Sequence, residues 1–208
     1  MNPIKFDPKA APVNFLLTGV GGQGTILASN VIAEVGIGAG LDAKQAEVHG
    51  MSQRGGSVTS QVRWAPKVFS PLIAKGDSDI LIAFEKLEAV RFIDYIKPGG
   101  LALINDHCIA PITVSAGNAE YPDDQTIHAT IARYTSNAYW VQGQKIALEL
   151  GNPRVTNVVL LGALSAFITL PEEQWLQAIA RRVPEKHLAL NKKAFEMGRK
   201  EIQFSQNP

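Results

Sequence analysis

The sequence predicts an α/β fold in which a mostly parallel, Rossmann-like sheet is sandwiched by helices and followed by a helical C-terminal region. Three observations predict it. Short apolar runs alternate with segments of helical spacing through the first half of the chain. A glycine-rich segment joins the first such run to the first helix. Apolar residues make up 46 % of the 208 residues and charged residues 19 %, which supplies a core and is too little charge for a disordered chain. This length fits an N-terminal arm over 1–13 and a single domain over 14–208.

Residues 1–12 carry three prolines and no periodicity, and read as an extended arm. Asn14 to Thr18 is a short apolar run that stops at glycine, a buried strand. After Gly19-Val-Gly-Gly-Gln-Gly24, apolar residues at Ala28, Val31, Ile32 and Val35 have helical spacing, ended by Gly36, Gly38 and Gly40. Leu41 to Ala46 is a second strand and Glu47 to Gly56 a loop. Ser57 to Trp64 is a half-buried strand with Val58, Ser60, Val62 and Trp64 on one face. Asp79 to Phe84 is a buried strand and Glu85 to Tyr95 a helix ended near Lys97-Pro-Gly-Gly100. Leu101 to Asn105 is the next strand. Residues 109–135 read as short strands and loops. Trp140 to Leu150 reads as a helix followed by Gly151.

Asn152-Pro153 is a cap and first-turn pair for a helix to about Ile168, apolar nearly all round and therefore buried. Thr169-Leu-Pro-Glu172 has the pattern of a capping box at the start of another helix. Pro184 restarts the chain as a last, polar helix to about Phe204.

Charge and cysteine content exclude several functions. Twenty Lys+Arg against 19 Asp+Glu leave +1, so no basic field exists to drive nucleic-acid binding. One cysteine, Cys108, forms no intramolecular disulfide and cannot supply the four thiolates of the usual iron–sulfur cluster. The opening segment lacks the apolar stretch of a signal peptide, and the apolar run Val158 to Leu170 is too short for a bilayer. A soluble cytoplasmic protein is expected.

Two loops carry the chemistry. Gly19, Gly21 and Gly24 fit G-x-G-x-x-G, with Gly22, Gln23 and Thr25 filling a strand-to-helix turn. Such glycines let backbone amides approach an anion, and the helix start adds unpaired N–H groups. The alternative is a tight turn with no ligand. His49-Gly-Met-Ser-Gln-Arg-Gly-Gly56 packs an imidazole, a hydroxyl (Ser52), an amide (Gln53) and a guanidinium (Arg54) ahead of Gly55 and Gly56. Arg54 has the fork geometry for phosphate or carboxylate. Alternatively these side chains only tie the loop to its scaffold. Glu47, 23 residues beyond Gly24, stands where a dinucleotide enzyme places its ribose acid, so a nicotinamide-dependent oxidoreductase is the second reading.

Together the two loops resemble the gamma-type subunits of the 2-oxoacid:ferredoxin oxidoreductases, the pyruvate and ketoisovalerate enzymes among them, and most of all the indolepyruvate branch. The resemblance continues through Leu150-Gly-Asn-Pro153 and Asn157-Val-Val-Leu-Leu-Gly162 and covers about residues 14–168. It implies a complete enzyme that decarboxylates a 2-oxoacid on thiamine diphosphate, passes electrons through iron–sulfur clusters to ferredoxin and makes an acyl-CoA. It places thiamine diphosphate, magnesium and the clusters on a large partner subunit. This chain alone then holds none of them, and CoA enters as co-substrate. Ferredoxin is reached through the complex; no nucleic acid or membrane is a partner.

Carried over, Gly19 to Thr25 and His49 with Ser52 to Gly56 are the cofactor-binding candidates, with no catalytic residue and no metal ligand assigned. In agreement, the sequence has no GDG motif, the nearest text being Gly76-Asp77-Ser78, and no CxxC. Aromatic, branched-chain and dicarboxylic 2-oxoacids all stay open. Cys108 beside His107 follows a strand end without a motif around it. His128 and His187 read as structural or exposed, and Trp64, Trp140 and Trp175 as core or interface. A scaffold using both loops only for contacts is the third reading.

Overall fold

The computed structural model describes residues 4–49 and 55–205. A six-stranded sheet has the order β2-β3-β1-β4-β5-β6, with β1 Val13–Val20, β2 Asp42–His49, β3 Ser57–Ala65, β4 Ser78–Ala83, β5 Ile96–Asn105 and β6 Asn137–Val141. The pairs β1–β4, β4–β5 and β5–β6 are parallel; β2–β3 and β3–β1 are antiparallel. The parallel half is the expected one. The antiparallel hairpin β2–β3 pairs His49 with Val58 across the second loop and separates β2 from β1.

The helices are α1 Thr25–Gly38, α2 Lys86–Phe92, α3 Ile112–Ser115, α4 Asp124–Ala132, α5 Gly143–Glu149, α6 Thr156–Ser165, α7 Glu172–Arg182 and α8 Leu188–Ser205. They cover both faces of the sheet. On one face Phe15, Leu17, Val62, Trp64, Ile80 and Ile82 meet α1, α6, α7 and α8 in the larger core. On the other, Leu16, Leu81, Ala83, Ala102 and Ile104 meet α2 and α4. Strands β1 and β4 therefore bury both sets of side chains, which is why they read as continuous apolar runs.

α1 buries the expected Ala28, Val31, Ile32 and Val35 but runs past Gly36. A Cβ at Gly36 would lie 2.4 Å from Trp64 Nε1, so this glycine makes room for the indole, whose N–H donates to the Ile32 carbonyl at 3.1 Å. Gly40, at φ +83°, follows the helix end.

Elsewhere the elements differ from expectation. β2 continues to His49, taking in the first residues of the predicted loop. β5 starts at Ile96 and carries Lys97-Pro-Gly-Gly100 within it, opposite a register shift between Ser78 and Ile80. A Cβ at Gly100 would stand 2.9 Å from the Asp79 carbonyl, so the close approach of the two strands requires glycine.

Residues 109–135 hold α3 and α4 rather than strands. Asp123 caps α4 by accepting from the Thr126 N–H at 2.7 Å, and Ile127 and Ile131 bury one face. Trp140 and Val141 end strand β6, and the helix begins only at Gly143. α6 is buried along its whole length, as its composition predicts. The expected capping box does not form: Thr169 donates its N–H and hydroxyl to the Phe6 carbonyl at 3.0 and 3.3 Å, and Pro171 stands at the helix start with no side-chain cap. This bond and a bridge from Phe6 to Ile168 seat the arm on the end of α6. α8, polar on one side, buries Ala194, Phe195 and Ile202 against α6 on the other. Among the described residues no helix is long and apolar enough to cross a membrane.

Candidate functional site

The carboxyl ends of β1, β4, β5 and β6 lie along one edge of the sheet, where ligands bind in open α/β folds. The first loop leaves this edge. Gly19 and Val20 still belong to β1, so the turn proper is Gly21 to Gly24. A Cβ at Gly19 would meet Gln23 Oε1 at 2.8 Å and Phe84 Cβ at 2.9 Å. Gln23 closes the turn on itself: its Oε1 accepts from the Val20 N–H at 2.7 Å and its Nε2 donates to the Phe84 carbonyl at 2.9 Å. Gly22 and Gly24 have φ of +106° and +82°, backbone that L side chains rarely adopt. Gly24 then serves as N-cap of α1 without a side-chain cap, so the first amides of the helix are left for another acceptor.

The structure brings Gly56, at the described end of the second loop, against the first. The Gly21 N–H donates to the Gly56 carbonyl at 2.9 Å, and Gly19 and Val20 pair with Val58 and Ser57. Gly55 turns at φ +74°. Ser52, Gln53 and Arg54 lie outside the described residues, and of His49 only the backbone, in β2, is described. Thr25 is buried in the first turn of α1.

Beside the glycine turn opens a cleft of about 410 Å³, lined by Gly22, Gln23, Gly24, His107, Ile109, Gln144, Pro153, Arg154 and Thr156. Four of these come from segments that sequence reasoning left without a role. His107 follows the end of β5, Gln144 opens α5, Arg154 rides a 3₁₀ turn over Pro153–Val155, and Thr156 opens α6. Asn152 caps that turn by accepting from the Arg154 N–H at 3.0 Å. Asn105, fully buried, donates to the Phe84 carbonyl at 3.1 Å and accepts from the Gln144 N–H at 3.3 Å, which ties β4, β5 and α5 at the floor. Asn157 Nδ2 donates to the Gly24 carbonyl at 3.4 Å, joining α6 to the glycine turn. The signal that could have found Arg154 was its place one residue after the Asn152-Pro153 cap.

A buried ionic group flanks the cleft. Lys86 Nζ stands 3.1 Å from Asp106 and 2.6 Å from Asp124. Burial lowers the Lys86 pKa, but the two carboxylates more than reverse this and hold it above the ordinary lysine value. Burial raises the Asp106 carboxyl, and the Gln142 amide and Lys86 outweigh it, leaving it below the usual range. Glu85, also buried, accepts from the Ile109 N–H at 3.0 Å and from the Tyr121 hydroxyl, fixing the wall that carries His107 and Ile109. Burial and this carboxylate push the Tyr121 phenol well above its ordinary value. Cys108 is exposed, and His128 stacks on Trp140 with ring centres 4.1 Å apart. Trp64 and Trp175 are core residues.

Glu47 is not beside the glycine turn. It sits on the edge strand β2, with β3 between it and β1, and accepts from Gln45 at 2.9 Å. A dinucleotide site places its acid on the strand next to β1, so this topology removes the main support for the nicotinamide reading.

The site can bind and orient an anion: glycine turn and helix start on one wall, guanidinium and imidazole on the others. The profile of a family described as pyruvate ferredoxin/flavodoxin oxidoreductase matches residues 14–201. An indolepyruvate oxidoreductase subunit IorB from Thermococcus kodakarensis is 40 % identical, over 89 % of this chain and 93 % of that protein. A 2-oxoglutarate synthase subunit KorC from Methanocaldococcus jannaschii is 26 % identical over 88 % and 92 %. Among solved structures, a keto/oxoacid ferredoxin oxidoreductase gamma subunit from Geobacter sulfurreducens superposes with a TM-score of 0.69. It is 26 % identical and is covered over 98 % of its length by 93 % of this chain.

Proposed function

The chain belongs to the pyruvate ferredoxin/flavodoxin oxidoreductase family, and from that premise we propose that it is the small, non-thiamine subunit of a 2-oxoacid:ferredoxin oxidoreductase, most like the indolepyruvate enzymes. In this reading it contributes to oxidative decarboxylation of a 2-oxoacid to an acyl-CoA, with electrons delivered to ferredoxin, and it is inactive without its large partner. The donor set of the chain does not fit an iron–sulfur cluster, since one cysteine stands where the usual clusters take four thiolates. Among the described residues no group of three or more His, Cys, Asp or Glu is placed to hold a metal ion. In this reading thiamine diphosphate, magnesium and the clusters belong to the partner subunit.

The role of this chain's own residues is to hold CoA. Its phosphates match the amides of Gly22, Gly24 and Thr25 and the Arg154 guanidinium, the Gln23 N–H being already given to the Val20 carbonyl at 3.2 Å, with Arg54 from the second loop as a further candidate. Gln144, Thr156 and His107 supply polar contacts around them. The single observation that carries the reading is the cleft itself: about 410 Å³ in which the family's glycine turn faces an arginine. Sites of this size and mixed lining suit a small-molecule ligand.

The test is the KM for CoA of the complex with its large subunit. A charge-assisted hydrogen bond is worth about 1.5–3 kcal/mol, so Arg154→Ala is expected to raise that KM roughly 10–100-fold, with Arg154→Lys recovering part of the loss. An unchanged KM would remove CoA from this cleft.

A further inference from the structure

We infer that Glu88 is the positioning residue that sets the two glycine loops in register, acting from the sheet face opposite α1. Glu88 lies on α2 with its side chain 2 % exposed. Its Oε2 accepts from the Thr18 hydroxyl at 3.3 Å and from the Ser57 hydroxyl at 2.5 Å, and its Oε1 accepts from Arg91 Nη1 at 2.6 Å. Thr18 is the residue immediately before Gly19, and Ser57 the residue immediately after Gly56. One carboxylate thus grips the strand end that launches the first loop and the strand start that receives the second. On the far side of Ser57, the Gly56 carbonyl accepts the Gly21 N–H. A continuous line runs from Arg91 through Glu88, Ser57 and Gly56 to the turn that opens on the cleft.

The choice of residue needs explaining, because an ion pair taken out of water is often no more stable than an apolar pair of the same volume. An apolar side chain at this buried position of α2 would need no partner. A carboxylate adds directional acceptors at two chosen hydroxyls, and Arg91, 43 % exposed, balances its charge. What this secures is position: a displacement of about 1 Å in a group that orients a ligand costs up to 100-fold in rate. Glu88 does not line the cleft and is not catalytic; its effect passes through Thr18 and Ser57.

The inference rests on the CoA reading for its kinetic consequence and not for its structural one, and the experiment separates the two. Ser57→Ala removes one arm and leaves Glu88 paired with Arg91; Ser57→Thr restores the hydroxyl; Glu88→Gln keeps the shape. In the full chain, hydrogen exchange of the peptide covering Gly19 to Thr25 is expected to be about tenfold faster in Ser57→Ala and in Glu88→Gln, for one lost hydrogen bond. Exchange in α7 should be unchanged, and Ser57→Thr should match the unaltered chain. In the complex with the large subunit, Ser57→Ala should raise the KM for CoA about tenfold with kcat within about twofold, and Ser57→Thr should reverse it. Unchanged exchange at Gly19 to Thr25 in both variants overturns the positioning role whatever the kinetics show. Faster exchange with CoA kinetics untouched in Ser57→Ala, while Arg154→Ala shifts the KM, overturns the claim that register matters to the site. If neither variant moves the KM, the CoA reading has failed, and the exchange result alone upholds or rejects the clasp.

Discussion

Lys86 shows how single residues in this chain are set by opposing terms. It is 6 % exposed, a position that disfavours an ammonium, yet Asp106 and Asp124 hold it charged. Asp106 has a depressed pKa in the native chain, so its contribution to stability is complete above the ordinary carboxylate value of 3.8 and is lost as pH falls through the lower native value. Lys86 has a raised one, so its contribution is complete below 10.5 and is lost as pH rises through the higher native value. Stability from this group should hold between those limits and fall outside them. Urea unfolding midpoints measured against pH should show a shallower acid limb in Asp106→Asn, with a remainder from Asp42 and Asp123. The Val68 N–H holds the first below the usual range, and Thr126 the second. An acid limb as steep as that of the unaltered chain would exclude Asp106 from the effect. At this scale the sequence was half legible. Glycine spacing announced both loops, because only glycine tolerates the φ values found at Gly22, Gly24 and Gly55. Arg154, Gln144 and His107 carried no comparable mark, since their meeting with Gly24 is made by closure of long stretches of chain.

Elements were legible where one signal dominated. α6 is apolar all round and is buried all round. β6 was missed because a five-residue, half-buried strand has too short a period to stand out beside the helix that follows it. α4 was missed although Asp123 and the Ile127/Ile131 pair mark its start and its buried face. The capping pattern at Thr169 misled because tertiary contact with Phe6 took its donors. Nothing in the sequence marks the crossing of α6 and α8, where each helix needs a glycine. A Cβ at Gly162 would lie 1.9 Å from the Phe195 carbonyl oxygen, and one at Gly198 1.9 Å from that of Val159. Both obstacles are backbone, so neither can yield by a rotamer change. Gly162→Ala and Gly198→Ala should each cost about 3 kcal/mol or more, at or beyond the upper end of ordinary overpacking. Urea unfolding measures this, with Gly38→Ala as the comparison, because nothing lies within 4 Å of a Cβ there. A loss under about 0.5 kcal/mol at either crossing glycine would mean that the helices can separate freely.

For the whole molecule, the alternation of strand and helix made the parallel half of the sheet readable, since each buried strand is an apolar run. The antiparallel hairpin was not readable, because β2 is polar and its pairing with β3 depends on partners across a loop rather than on its own residues. That hairpin sets Gly56 and the start of β3 against the first loop, along the sheet edge where the cleft opens. Residues from Gly22 to Thr156 gather there, while the sequence offers one cysteine and no GDG motif. On the proposed function, this chain presents CoA and the pair of electrons released on decarboxylation passes to another polypeptide. Mixed with a 2-oxoacid, CoA and a one-electron dye, the chain alone should therefore reduce no dye. Adding its large subunit should give dye reduction that rises with the amount of large subunit added and then levels. Arg154→Ala should reach the same end point but require more CoA to do so, because it is altered in ligand binding and not in assembly. Steady dye reduction by the chain alone would break the division of labour on which this prediction stands.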